Sequence, residues 1–128
     1  MRALLVDDSR TMRALLARLL TGLGFEVEHA ADGQEALAAV TAAAAEDRLP
    51  DVCLVDWNMP VMTGLEFVVA VRANPEWRDI SLMMVTTESE HAQIVRALAA
   101  GAHEYLIKPF PAEAIEEKLR LLGLVPVG

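Results

Sequence analysis

Residues 52–64 read VCLVDWNMPVMTG, an apolar run that ends abruptly at Asp56 and continues into a loop containing Pro60 and Gly64. Four apolar residues without alternation are typical of a strand buried on both faces, as in a parallel sheet covered by helices on both sides. Open α/β sheets bind ligands outside the carboxyl ends of their strands. The meaning of Asp56 therefore depends on which residues end the other strands.

The rest of the chain repeats this unit of one strand followed by one amphipathic helix. We predict strands at 3–7, 25–30, 51–56, 80–87 and 104–107, and helices at 9–24, 32–46, 65–74, 89–101 and 111–123. Ser9 is a predicted N-cap, Asp32 and Glu35 have capping-box spacing, and Gly101 is a predicted helix stop. The strand at 25–30 alternates apolar and polar residues and is predicted to be a half-buried edge strand. The pattern predicts an α/β fold of the (βα)5 type.

Composition limits the function. The 128 residues carry a net charge of −8, which argues against a nucleic-acid or anionic-membrane partner, because both require a basic face. Cys53 is the one cysteine of the sequence and is typical of a protein in a reducing cytoplasm. The sequence has no apolar run of the roughly 18 residues that a membrane helix needs. We therefore expect a cytoplasmic protein.

Polar residues end four of the five predicted strands: Asp7 and Asp8, Asp56, Thr86, and Lys108. Each has an ordinary explanation, such as a helix cap, a turn or a solvated charge. Taken together, three carboxylates at one sheet edge would repel one another unless a cation joined them. A hard cation such as Mg²⁺, with a lysine and a hydroxyl beside it, is what phosphoryl transfer requires.

The segments LLVDDSRTMR (4–13), VDWNMPVMTGLE (55–66), MMVTTE (83–88) and YLIKPF (105–110) together resemble the motifs of response-regulator receiver domains, in particular those of chemotaxis. The resemblance covers essentially the whole chain. It implies a flavodoxin-like three-layer sandwich whose parallel sheet has the strand order 2-1-3-4-5. It also implies a single receiver domain over residues 1–128, without an output domain.

The resemblance assigns chemical roles to the strand-end residues. Asp56 is implied to be the phosphoryl acceptor. Asp8, Asp56 and the main-chain carbonyl of Asn58 are implied to bind Mg²⁺ directly, with Asp7 acting through water. Lys108 is implied to pair with the phosphoryl oxygens.

The resemblance also implies a switch. Phosphorylation would draw the Thr86 hydroxyl inward, and the ring of Tyr105 would follow. The bond before Pro109 is often cis in this family. Two residues depart from the family pattern, since Thr87 replaces a smaller residue and Ser9 replaces a phenylalanine. The implied partner surface comprises Ser89, His91, Ile94, Tyr105 and Lys118.

The partners implied are a sensor histidine kinase and a downstream protein target such as the flagellar switch, with the chain acting as a monomer. The chain would be no enzyme beyond catalysing its own phosphorylation and dephosphorylation. Alternatives are a phosphorelay intermediary, a developmental regulator, a pseudo-receiver that is not phosphorylated, and a haloacid-dehalogenase-like phosphatase. The phosphatase needs a second aspartate where Asn58 stands. We predict the histidines to be surface or strand-flanking residues, and Ile94 and Leu98 to belong to the core.

Overall fold

The computed structural model describes residues 1–125, in which strands and helices alternate along the chain. The strands are β1 (Arg2–Val6), β2 (Glu26–Ala30), β3 (Val52–Val55), β4 (Ser81–Thr86) and β5 (Glu104–Ile107). The helices are α1 (Arg10–Gly22), α2 (Gly33–Ala45), α3 (Gly64–Arg72), α4 (His91–Ala100) and α5 (Ala112–Leu121), with a short 3-10 helix at Pro75–Trp77. None of the helices within residues 1–125 combines the length and apolar character needed to span a bilayer.

The strands form one parallel sheet in the order β2-β1-β3-β4-β5, which confirms the predicted flavodoxin-like topology. The chain moves outward from β1 to β2 and then returns across β1 to β3. The strand order therefore reverses between β1 and β3, which is where a sheet of this type forms a ligand crevice at its carboxyl edge. The predicted edge position of β2 is confirmed.

The sheet separates two apolar cores. One includes Phe67 of α3 and Ala97 of α4, and the other includes Leu16 of α1 and Ile115 of α5. The prediction that Leu98 belongs to the core is wrong, because this side chain is 44% exposed while Ala97 is fully buried. The small alanine brings α4 close to the sheet, and the neighbouring leucine then faces outward.

Helix ends follow the sequence with three differences. Asp32 accepts a hydrogen bond from the Glu35 amide, but the Glu35 carboxylate accepts from Ala31 instead of Asp32, so the predicted capping box is only half formed. A complete capping box occurs at Thr63 and Glu66, where none was predicted. The predicted helix 65–74 ends at Arg72, two residues early, and Pro75 lies outside it as predicted, at the start of the 3-10 helix.

Arg72 joins four segments at the amino-terminal edge of the sheet. Its guanidinium donates to the carbonyl oxygens of Gly101 at 3.0 Å, Ile80 at 2.7 Å and Trp77 at 3.4 Å. It also lies 3.3 Å from Nδ1 of His103, which accepts from a main-chain amide of β4 as well. Two donors therefore converge on this ring nitrogen, which must be unprotonated to accept them.

His103 should give the fold an acid-sensitive contribution to its stability. Burial, with the Arg72 charge adding to it and Glu104 opposing it, lowers the pKa of His103 below its usual value. The unfolded chain then binds the proton first as the pH falls. The contribution of His103 to the free energy of unfolding is complete above its unfolded-state pKa of about 6.5. It is lost as the pH falls towards the lower pKa that His103 has in the folded protein. The variant His103→Asn keeps an acceptor oxygen for the Leu82 amide but cannot titrate.

We expect the free energy of urea unfolding to fall less between about pH 7.5 and about pH 5 in His103→Asn than in the wild type. His29→Asn, at an exposed position of β2, is the matched control and should keep the wild-type dependence. Equal pH dependence in His103→Asn and wild type would show that the interpretation of the Nδ1 contacts is wrong.

Candidate functional site

Three carboxylates meet at the carboxyl edge of the sheet. Asp7 and Asp8 follow β1, Asp56 follows β3, and one oxygen from each lies within 4.8 Å of the others. Asp7 is 2% and Asp56 9% exposed, whereas Asp8 is open to solvent. The predicted convergence of strand-end carboxylates is observed. Oxygen donors with one open side fit a hard divalent cation that keeps some of its waters.

Lys108 lies between two of these carboxylates. Its Nζ atom is 2.8 Å from Oδ2 of Asp7 and 3.6 Å from Oδ2 of Asp56, and its side chain is 12% exposed. The Lys108–Pro109 peptide bond is cis, as the resemblance implied. The lysine therefore neutralises part of the negative charge within the carboxylate group.

The protein environment makes Asp56 harder to ionise than an ordinary aspartate. Burial raises its pKa, and the neighbouring Asp7 charge adds to that effect. A hydrogen bond from the Thr86 hydroxyl and the charge of Lys108 act in the opposite direction without cancelling it. A divalent cation beside Asp56 would favour the ionised form, which is the form able to act as a nucleophile.

Glu88 contacts both predicted switch residues, Thr86 and Tyr105, and also Asn58. Its amide donates to Oγ1 of Thr86 at 3.4 Å, and its carbonyl accepts from the hydroxyl of Tyr105 at 2.7 Å. Its carboxylate accepts from Nδ2 of Asn58 at 3.2 Å. The Thr86 side chain is fully buried, and its hydroxyl lowers the pKa of the Asp56 carboxyl. Glu88 therefore links Thr86 to Tyr105 through its main chain, and the switch role of these two residues stays a prediction.

The loop between β3 and α3 approaches the main chain of Asp56 so closely that one position must be glycine. The Gly64 amide donates to the carbonyl of Trp57 at 2.9 Å, and a Cβ atom at Gly64 would overlap the carbonyl oxygen of Asp56. In the same loop Val61 has a φ of 69° and is 74% exposed. A β-branched residue in this region is strained, so the loop geometry is held by its surroundings.

The residues predicted to form the partner surface lie on or beside α4, β5 and α5. Ser89 and His91 are exposed, while Ile94 and Tyr105 are half-buried. Lys118 is not free, because it pairs with Glu104 at 2.7 Å. Large exposed apolar side chains on the same elements are Val95, Leu98, Ile107 and Leu121. Their role in partner binding stays a prediction.

The sequence analysis did not single out two residues that shape the site. Gly64 could have been recognised from the short loop between Pro60 and α3, where a close main-chain approach favours glycine. Arg13 donates from α1 to the carbonyl oxygen of Asp7. Its position on an amphipathic helix offers no signal that distinguishes it from a solvated charge.

The chain matches the family model described as the response regulator receiver domain over residues 3–120. It is 42% identical to a chemotaxis protein CheY homolog of Campylobacter jejuni over 120 residues, covering 93% of this chain and 89% of that protein. It is 41% identical to chemotaxis protein CheY1 of Helicobacter pylori over 126 residues, covering 95% and 96% of the two chains.

A similar solved structure is chemotaxis protein CheY4 of Vibrio cholerae, with a TM-score of 0.84, 41% identity, and coverage of 94% of this chain and 97% of that one. Sequence family, relatives and fold agree with the acidic site at the β1–β3 edge, and the chain belongs to the response regulator receiver domain family.

Proposed function

We propose that this chain is a single receiver domain that accepts a phosphoryl group on Asp56 from a sensor histidine kinase and signals through protein contacts in chemotaxis. The observation that carries the proposal is the ionic contact of Lys108 with Asp7 and Asp56 at the carboxyl edge of the sheet. The names of the similar relatives favour chemotaxis over a relay or a developmental role.

The proposed reaction is attack of an Asp56 carboxylate oxygen on the phosphorus of phosphohistidine, with cleavage of the bond between phosphorus and nitrogen. Bound Mg²⁺, held by Asp8, Asp56 and the Asn58 carbonyl with Asp7 acting through water, would supply neutralisation of phosphoryl charge. Lys108 would shift part of its ion pairing from the carboxylates to a phosphoryl oxygen. Positioning and charge neutralisation account for most catalysis of this kind.

The proposed response uses the contacts of Glu88. A phosphoryl oxygen on Asp56 would compete for the Thr86 hydroxyl, and the Glu88 amide that donates to this hydroxyl would move with it. The Tyr105 hydroxyl, bound to the Glu88 carbonyl, then transmits the change to β5 and the neighbouring face of α4. Such a change is a shift between two populated packings.

A phosphatase of the haloacid-dehalogenase type is not favoured. Its general acid would have to stand at Asn58, whose side-chain amide carries no transferable proton at neutral pH and donates to Glu88.

The proposal also includes action in the cytoplasm as a monomer, supported by the unpaired and fully buried Cys53.

Phosphorylation of Asp56 is tested with a small phosphodonor. We expect acetyl phosphate with Mg²⁺ to add one phosphoryl group to the wild type, seen by intact-protein mass spectrometry. Asp56→Asn should show background labelling only, because its amide is no nucleophile. Asp51→Asn, at the opposite end of the same strand, should label like wild type. Equal labelling of Asp56→Asn, or full labelling in excess chelator, would refute the mechanism.

Lys108→Ala should separate phosphorylation from the response. Asp56 can still be attacked, but the phosphoryl oxygens lose a charge-assisted hydrogen bond. We expect the mutant to be labelled by acetyl phosphate, while amide hydrogen exchange across residues 86–107 changes much less on phosphorylation than in the wild type. Arg18→Ala, which removes an exposed positive charge from α1, is the control. A full wild-type exchange response in phosphorylated Lys108→Ala would contradict the assigned role.

The phosphoryl lifetime should depend on residues beside the acceptor. Asn58 and Glu88 hydrogen-bond each other across the site entrance, and Thr87 is exposed next to them. Since a displacement of about 1 Å can cost roughly 100-fold in rate, groups that direct or obstruct a water should matter. We expect a wild-type lifetime of seconds to a few minutes, longer in Asn58→Leu and shorter in Thr87→Ala.

The lifetime is measured as loss of the phosphorylated form after the donor is removed at constant Mg²⁺. A wild-type lifetime of many hours, or slower decay in Thr87→Ala than in wild type, would show that other side chains govern water access.

A further inference from the structure

Arg13 reaches from the second turn of α1 back to the end of β1. One terminal nitrogen of its guanidinium donates to the carbonyl oxygen of Asp7. Its Nε atom is buried and has no hydrogen-bond partner among residues 1–125. A buried donor without an acceptor destabilises a fold. The stability of α1 therefore does not explain why the Arg13 side chain lies here. What this placement provides is the hydrogen bond to Asp7.

Asp7 is fixed at every polar group that it has. Its amide donates to the carbonyl of Ala30 at 3.1 Å, and its Oδ1 accepts from the Ser9 amide at 2.9 Å. Its Oδ2 accepts from Lys108 at 2.8 Å, and its carbonyl accepts from Arg13. Of these contacts, the one from Arg13 holds the peptide group that leads directly into Asp8. Asp8 is exposed, and within residues 1–125 no side-chain hydrogen bond sets its position.

The Arg13 charge is a poor explanation for its position. The charged side chains that influence the pKa of Asp56 are Lys108 and Asp7, and Arg13 is not among them. A cation beside a divalent metal site would also oppose metal binding by repulsion. Arg13 instead donates from one terminal nitrogen of a planar guanidinium to a main-chain carbonyl, and this hydrogen bond restricts the orientation of that peptide group.

We propose that Arg13 is a positioning residue for the cation site: by holding the Asp7 carbonyl, it fixes the turn between β1 and α1 so that Asp8 faces the shared cation position. The inference rests on the proposed function, in which Asp8 and Asp56 bind Mg²⁺. Loss of this contact lets the turn adopt orientations that do not bind the metal, and the apparent affinity falls in proportion to the binding-competent fraction.

Positioning and charge predict opposite results for Arg13→Gln. If Arg13 acts by charge, removing it should tighten Mg²⁺ binding. If it positions the turn, binding should weaken by about 10-fold, the lower end of what loss of an outer partner costs a metal site. Arg13→Lys keeps the positive charge but not the planar guanidinium, and it should weaken Mg²⁺ binding by a smaller factor. Arg10→Gln removes an exposed charge from the same helix and should leave the affinity unchanged or slightly higher.

The experiment is calorimetric titration of each purified protein with Mg²⁺ alone at fixed ionic strength, with folding checked by thermal unfolding in chelator. Acetyl phosphate labelling is then measured against Mg²⁺ concentration. We expect Arg13→Gln to need more Mg²⁺ but to reach nearly the wild-type maximal rate. Should Arg13→Gln fail to fold, Arg13→Lys carries the test.

Unchanged or tighter Mg²⁺ binding in a folded Arg13 variant, beside normal binding in the wild type, would overturn this inference and leave the proposed function intact. A wild type that binds no Mg²⁺ would overturn both. A weakened affinity accompanied by an equal loss of maximal rate at saturating Mg²⁺ would also overturn the positioning role, because it would place the defect in the reaction itself.

Discussion

The site depends on one ionic contact between the two ends of the chain. Lys108, which follows β5, lies 2.8 Å from Asp7, which follows β1, across a sequence separation of 101 residues. Two unit charges 4 Å apart attract by about 4 kcal/mol at an effective dielectric constant of about 20. Desolvation of the pair offsets part of that attraction. Without the lysine, two largely buried carboxylates would face each other with no protein cation between them, so its position allows β1 and β3 to end in acidic residues side by side.

The same crowding of charge explains why the site suits a switch. Burial and the Asp7 charge disfavour ionisation of Asp56. Any group that adds positive charge or removes negative charge there therefore strongly shifts the equilibrium between its protonated and ionised forms. The Thr86 hydroxyl and the Lys108 charge, whose Nζ lies 3.6 Å from Oδ2 of Asp56, lower the pKa of that carboxyl. Because Glu88 joins Thr86 to Tyr105 by main-chain hydrogen bonds, the proposed change of partner at Asp56 would reach β5 through short contacts. No long-range strain needs to be invoked.

Sequence reasoning succeeded where regular structure decides position. The carboxyl ends of parallel strands share one edge, so Asp7, Asp56 and Lys108 could be expected to converge once their strands were recognised. Sequence reasoning failed where a single tertiary contact decides the position of a residue. The exposure of Leu98 follows from how closely Ala97 approaches the sheet, which no periodicity gives. The bond between Asn58 and Glu88 joins two loops whose conformations depend on the finished fold.

The two cations near the acceptor illustrate different ways to support an acidic site. Lys108 has a compact charge and contacts carboxylate oxygens, so its effect is mainly on the energy of ionised groups. Arg13 contacts a carbonyl oxygen and leaves its Nε without a partner, so its effect is on main-chain geometry at the cost of an unsatisfied donor. If both acted by charge, they would compete with the divalent cation that the carboxylates are suited to bind. A site that must admit a cation therefore binds that cation better when only one of its basic residues neutralises the charge of its carboxylates.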